Sequence, residues 1–329
     1  MTTPLERLVA ALPGERWVVR VRQPDGSATD VVGWVVAREP DGLTLAGPVD
    51  PVTGEGPRTR VRRDTVLLAR RAPAAVGGPS PRRTGAAELE QLAAPAWADE
   101  LEPLGQWTLR AAGGFTGRAN SCLAVGDPGR PVADAAAAIE AYAARHGIAP
   151  LASVVSGSAE DEALRRLGWR ETYVPTQVLA ARLIDVLDQR AVDPRVVVDD
   201  TLTSGWRAAY DESRPGGADP AAVTAVLEGR PLRAYASVRV GEEVVALGRG
   251  HLNEAWLGLA ALWVRAGARR QGLGTALVVG LGHWAARRGA RYAYLQVAVA
   301  NTEAAAAYAR LGFVPHHRYH YLEPPLRSR

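Results

Sequence analysis

VRAGARRQGLGTALVVG, residues 264–280, sets three arginines and four glycines between a strand-like run and a helix-like one. Upstream, AWLGLAALWVR (255–265) reads as a strand, and downstream Leu273, Leu277, Leu281 and Trp284 share one face at helical spacing, which predicts an amphipathic helix to about Arg288. A helix that starts near Leu273 leaves its first amides without acceptors. Those amides and the helix dipole favour an anion, and glycines let a phosphate come close to the backbone. Arg269-Arg270-Gln271-Gly272-Leu273-Gly274 meets both conditions. Thr275 adds a hydroxyl in the first turn, and Arg269 and Arg270 add charge that a diphosphate would use. A glycine-rich turn kept only for packing fits the same spacing. The loop is neither a Walker A motif, since the chain has no lysine, nor the three-glycine dinucleotide fingerprint.

A second block follows in NTEAAAAYARLGF (301–313), with Asn301, Tyr308, Gly312 and Phe313. Together the two ordered blocks resemble the GNAT N-acetyltransferase superfamily, whose coenzyme loop reads Q/R-x-x-G-x-G/A. Arg269, Gly272 and Gly274 match that loop, and the resemblance covers roughly residues 195–325. The whole chain also looks similar to actinobacterial tandem GNAT proteins with a small N-terminal β-barrel and a degenerate first half.

The resemblance implies an α/β (α+β) fold with a mixed central sheet flanked by helices, and acetyl-CoA as co-substrate without a metal. It implies that the backbone of Leu262, Trp263 and Val264 pairs with the pantetheine arm, although an ordinary buried strand accounts for them equally. The amides from Arg270 through Gln271, Gly272, Leu273 and Gly274 to Thr275 would hold the pyrophosphate. Asn301 would touch the coenzyme arm, cap the helix after it, or do both. Tyr308 would protonate the leaving thiolate, the alternative being a tyrosine packed beneath the coenzyme. For the general base, Glu254 and His251 stand near the junction of two strands, where each also reads as a plain turn residue. His316, His317 and His320 line an acceptor pocket or lie on the surface; alternation sets His316 and His320 on one face and His317 on the other. No carboxylate or cysteine partner for a metal is evident beside them.

Working outward, residues 193–329 form the GNAT domain and 87–192 a degenerate half with the same order of helix, strand, helix, then LGW (167–169) in place of LGF (311–313). That half has GDPGRPVAD (126–134) where the glycine loop would stand, and Leu164 where Tyr308 would align. It is expected to pack against the live half without binding coenzyme. GGFTGRANS (113–121) is either a strand bend held by Asn120 and Ser121 or a contribution to the acceptor pocket across the pseudo-repeat. APAAVGGPSPRRTGA (72–86) reads as a linker, so the domains are 1–72, 73–86, 87–192 and 193–329. After the opening LERLVAAL, residues 1–72 alternate in strands separated by PDG and DG turns, which suits an SH3-like or Tudor-like barrel.

The 329 residues are 47% apolar, with no run approaching the ~18 apolar residues of a membrane helix. The N-terminus does not read as a signal peptide. Cys122 is the only cysteine, which excludes a disulfide framework and suits the cytoplasm. A net charge of +4 is too diffuse to argue for nucleic acid, though it suits small anions where arginines converge. The expected activity is N-acetyl transfer to a primary amine, of a small molecule or a protein, by direct attack in a ternary complex. A covalent acyl-enzyme is disfavoured because Cys122 lies in the degenerate half. The alternative is a catalytically weak, acyl-CoA-binding regulatory or scaffold protein whose barrel meets nucleic acid or a protein through the arginines of RTRVRRDTVLLARR (58–71). Oligomeric state is not legible, and a homodimer stays open.

Overall fold

The computed structural model describes residues 11–325 except 51–54, 99, 189, 215, 217, 230 and 231; the opening LERLVAAL lies outside these but for its end. Strands β1 (Arg16–Arg22), β2 (Ala28–Glu39), β3 (Gly42–Ala46), β4 (Arg58–Arg62) and β5 (Val66–Arg71) form an antiparallel sheet in the order β4-β3-β2-β1-β5. Period-two alternation turns Trp17, Val19 and Val21 inward, onto Leu43, Leu45 and Val61. The Pro/Gly/Ala stretch that follows runs against the rest of the chain. Ala75 is buried in its largest core, and Arg82 donates to the Pro315 carbonyl at 3.3 Å.

The remaining elements are α1 (Ala86–Ala93), β6 (Glu100–Leu104), β7 (Trp107–Ala111), β8 (Cys122–Leu123), α2 (Val132–His146), β9 (Ala152–Val155), α3 (Ala159–Arg166), β10 (Arg170–Arg182) and α4 (Leu183–Val186). Then come β11 (Val196–Asp199), α5 (Ser204–Ser213), α6 (Pro220–Leu227), β12 (Leu232–Val240), β13 (Glu243–Asn253), β14 (Trp256–Val264), α7 (Leu273–Arg287), β15 (Tyr292–Ala298), α8 (Thr302–Ala309) and β16 (Val314–Glu323). Most of these stand where periodicity and turn signals put them; β6, with Pro103 inside it, was not anticipated. Side-chain caps fix several starts. Ser158 accepts from the Asp161 amide and Asn301 from the Ala304 amide, while Gly147, at φ 62°, ends α2.

All eleven strands from β6 to β16 belong to one sheet, ordered β11-β12-β13-β14-β15-β10-β16-β9-β8-β7-β6. The two halves therefore do more than pack together. The last strand of the first half, β10, lies between β15 and β16, and the last strand of the second half, β16, lies between β10 and β9. Each half is completed by the other. Along β12, Ala234 and Ala236 face the core beneath α7, and Tyr235 faces the opposite core beneath α5 and α6. The sheet is thus covered on both faces at this end, and the site opens where two of its strands part.

Candidate active site

Strands β14 and β15 run parallel from Trp256↔Tyr292 to Leu259↔Leu295 and then separate. The cause is a bulge. Arg249 pairs with Ala260 but Leu247 pairs with Trp263, so Gly248 faces two residues, and Ala261 takes the left-handed conformation at φ 55°. Beyond it, Trp263 and Val264 pair with β13 on one side, and Leu262, Trp263 and Val264 have no strand partner on the other. This leaves backbone donors and acceptors at the mouth of a cleft.

After Val264 the chain makes a short turn, Ala266–Ala268, and enters α7 through Arg270 at φ 64° and Gly272 at φ 75°. The first intrahelical bond runs from the Ala276 amide to the Gly272 carbonyl, so the Leu273, Gly274 and Thr275 amides have no acceptor within the helix. A Cβ on Gly272 or Gly274 would meet nothing within 4 Å, so the space before the helix N-terminus is open to a bulky anion. Behind it Leu273, Leu277, Leu281 and Trp284 are buried against the sheet, which fixes the axis of the helix.

One cleft of about 760 Å³ brings most of the expected residues together. Leu262, Trp263 and Val264 form one wall and Arg269, Arg270, Gly272, Leu273, Gly274 and Thr275 the end. Asn301 and Tyr308 come from α8. Gln271 is exposed in the loop and is not part of the lining. Arg269 is not free to swing, since its Nε donates to the Val264 carbonyl at 3.2 Å. Asn301 spends its side-chain oxygen on the cap of α8. Tyr308 packs edge-on to Phe313 with ring centroids 6.0 Å apart, and burial pushes its hydroxyl above the usual phenol range. The cleft continues through the strand gap into a pocket of about 330 Å³ that shares Leu262, Asn301, Ala304 and Tyr308 with it.

Glu254 is not part of this assembly. It sits exposed in the turn joining β13 to β14, at the paired end of the splay. The strand from Trp256 to Leu262, about 20 Å at ~3.3 Å per residue, separates it from the cleft. His251 is fully buried, its Nε2 2.6 Å from the Tyr294 hydroxyl, and burial drops its pKa far below the usual imidazole value. The three histidines of β16 do not line the pocket either. His316 bonds the Thr84 carbonyl, His317 meets Glu90 at 2.9 Å and His320 meets Asp161 at 3.0 Å. These carboxylate partners were not evident from spacing, because both acids come from the first half. Nor does alternation hold at this point. Val178 pairs with His317 and Leu179 with Pro315, so His316 is a bulged residue and its ring stands 5.0 Å from that of His317.

GGFTGRANS is a bend held by its own side chains. Asn120 Oδ1 accepts from the Ala112 and Gly114 amides, and its Nδ2 donates to the Phe115 and Thr116 carbonyls. Ser121 Oγ accepts from Arg110. The bend so held presents Phe115, Thr116 and Arg118 to a third pocket, of about 240 Å³, which shares Ala260 and Ala261 with the strand gap. Trp97, Tyr210, Arg214 and Arg249 complete it. None of these four is visible as a site residue in the sequence, because Trp97 comes from the first half and Tyr210, Arg214 and Arg249 from the end of α5 and from β13 in the second. The basic stretch 58–71 is partly neutralised, with Arg60 paired to Asp41, Arg62 to Asp64 and Arg71 to Glu15.

An open, mixed sheet with parting parallel strands and a glycine-led helix at their mouth is the architecture of the GNAT acetyltransferases. A GCN5-related N-acetyltransferase from Kribbella flavida superposes with a TM-score of 0.51 at 19% identity, covering 74% of this chain and 95% of that one. The family described as "Probable histone acetyltransferase Rv0428c C-terminal" matches residues 86–322, and the chain belongs to it. A blasticidin-S acetyltransferase from Streptomyces morookaense is 46% identical over 57 residues, 17% of this chain and 42% of that protein. A tandem GNAT protein from the clavulanic acid biosynthesis pathway superposes with a TM-score of 0.47 at 16% identity, covering 61% of this chain and 74% of that one. No helix among the described residues is long and apolar enough to cross a membrane.

Proposed function

We propose that this protein is an acetyl-CoA-dependent N-acetyltransferase with one live site, at the parting of β14 and β15. The observation that carries the reading is the convergence in one cleft of three unaccepted helix amides, a free strand edge and Tyr308. The Leu273, Gly274 and Thr275 amides would hold the diphosphate, with Arg270 beside them. The edge of Leu262–Val264 would receive the pantetheine arm as an added strand. Bound there, acetyl-CoA supplies an activated thioester. Tyr308, kept protonated by its burial, donates a proton to the departing sulfur.

Among the described residues lining the two acceptor-side pockets, none is Asp, Glu or His. The attacking amine therefore arrives neutral or gives its proton to water, and Glu254 has no part in the step. Transfer is direct: burial pushes the Cys122 thiol up to about 12, which removes it as a nucleophile. A cytoplasmic setting suits this single buried cysteine. For the N-terminal sheet we infer an SH3-like barrel, supported by the meander β1 to β4, the return of β5 to β1, and the short helical turn Arg63–Thr65 before β5.

The test is calorimetric titration with acetyl-CoA, followed by a thiol-release assay across an amine panel. Saturable binding at one site with amine-dependent thiol release is expected. No binding, or thiol release independent of every amine, sinks the reading.

A further inference from the structure

We propose that the acceptor carries a carboxylate or phosphate beside its amine, and that Arg118, Arg214 and Arg249 hold this anion at the inner end of the acceptor pocket. The inference rests on the acetyltransferase reading above and adds the class of its substrate.

The pocket of about 240 Å³ contains three guanidinium groups, and none of its described lining residues is acidic. All three arginines spend their visible hydrogen bonds on neutral oxygens. Arg118 Nε donates to the Tyr319 hydroxyl at 2.6 Å and Arg214 to the Ser213 hydroxyl at 3.1 Å. Arg249 is 1% exposed, and both its terminal nitrogens donate to one acceptor, the Ala96 carbonyl, at 3.2 and 3.1 Å. Its Nε has no partner. Burial without a counter-charge pulls this group down to about 10, which still leaves it protonated at neutral pH. Glu90, whose field reaches Arg118, is already bonded to His317 and does not line the pocket.

A buried cation with no anion is costly unless a ligand supplies one. The Trp97 ring lies under Arg118 at 4.9 Å and Arg249 at 5.9 Å, and Tyr210 lies under Arg214 at 4.5 Å. These rings stiffen the guanidiniums without neutralising them. A carboxylate or phosphate would accept from several of them at once beside the buried Arg249. A polycationic acceptor, such as a polyamine or a basic peptide tail, would be repelled by the same groups. Arg118, Arg214, Trp97, Ala260 and Ala261 also line the strand-gap pocket that reaches Tyr308, so an amine at the gap and an anion at Arg249 can belong to one small molecule.

The experiment compares matched acceptors: glycine, β-alanine and γ-aminobutyrate against their carboxamides, and 2-aminoethyl phosphate against ethanolamine, with spermidine as the cationic control. Thiol release and thermal shift are both measured. The charged member of at least one pair should exceed its uncharged partner about thirtyfold in kcat/KM, and the carboxylate and phosphate arms decide which anion is preferred. Arg118→Gln, Arg249→Gln and the exposed-side Arg214→Gln should each reduce that preference at least about tenfold, while calorimetric affinity for acetyl-CoA stays at the wild-type value. Equal turnover and equal thermal shift within every pair, or preference for spermidine, overturns the proposal. Failure of acetyl-CoA to bind the wild-type chain overturns the acetyltransferase reading instead, so the two failures are separable.

Discussion

The chain contains two places where parallel strands meet a helix-bearing connection, and only one of them opens. In the second half, the bulge at Ala261 turns β14 away from β15 and leaves a cleft. In the first half, β8 and β9 pair at Cys122↔Ala152 and Leu123↔Ser153, and the Ala124 amide keeps them together by donating to the Ser153 carbonyl at 2.9 Å. Leu123 and Val125 then pack with Ala94 and Val155. The Gly126 amide is taken by the chain's own Glu160 at 2.9 Å. Leu164 is fully buried in the first half's core, whereas Tyr308 faces the cleft. Two copies of one topology differ in the room they leave between strands because of one bulge, one loop and what fills the gap.

The largest test of this contrast removes the open helix start. Gly272→Val combined with Gly274→Leu fills the cradle and puts a β-branched residue at φ 75°; acetyl-CoA affinity by calorimetry should fall about 100-fold, ~3 kcal/mol. Pro131→Ala at the start of α2 should leave that affinity unchanged. Next is the Tyr308 and Leu164 pair. Tyr308→Phe should lower kcat at least about tenfold with acetyl-CoA affinity intact. Leu164→Tyr should give no second active site and should cost about 2 kcal/mol in chemical denaturation, because the hydroxyl enters an apolar core. A coenzyme-binding first half in that variant would refute the comparison.

The pH profile comes third. With no acidic or imidazole side chain among the described residues lining these two pockets, kcat/KM should rise about tenfold per pH unit until the acceptor amine is neutral. Because burial raises Tyr308 above its ordinary value near 10, its proton is retained through that range, and activity should not decline below about pH 10. An inflection near pH 6 would reveal a histidine or carboxylate base. The smallest effects belong to the equivalent caps. Ser158→Ala and Asn301→Ala should each cost about 1 kcal/mol, a drop of a few degrees in Tm. Only Asn301→Ala should also weaken acetyl-CoA binding if its amide touches the coenzyme arm.

Local signals carried most of the elements and the residues of the main cleft, because RRQGLG and the spaced Asn301 and Tyr308 lie close together in the chain. The acceptor side depends on distant segments. Arg118, Trp97 and Arg249 meet only after the first and second halves share a sheet, and no periodicity reports that pairing. For a related reason the sequence leaves Glu254 open between a base and a plain turn residue: it shows which strands Glu254 joins but not which end of a splayed pair is open. The histidines of β16 were misassigned because a bulge at His316 breaks alternation, and because Glu90 and Asp161 stand far away in sequence.

The interleaving of β10 and β16 also sets an order of events on the ribosome. In the finished sheet residues 314–323 take the place between β9 and β10, so the native pairing of those two edges waits until that strand has been made. Pairing across such a separation in sequence is slow to nucleate, and once complete it ties both halves into one unfolding unit. The first half is therefore held in place by the fold itself, because its strands close the sheet of the second.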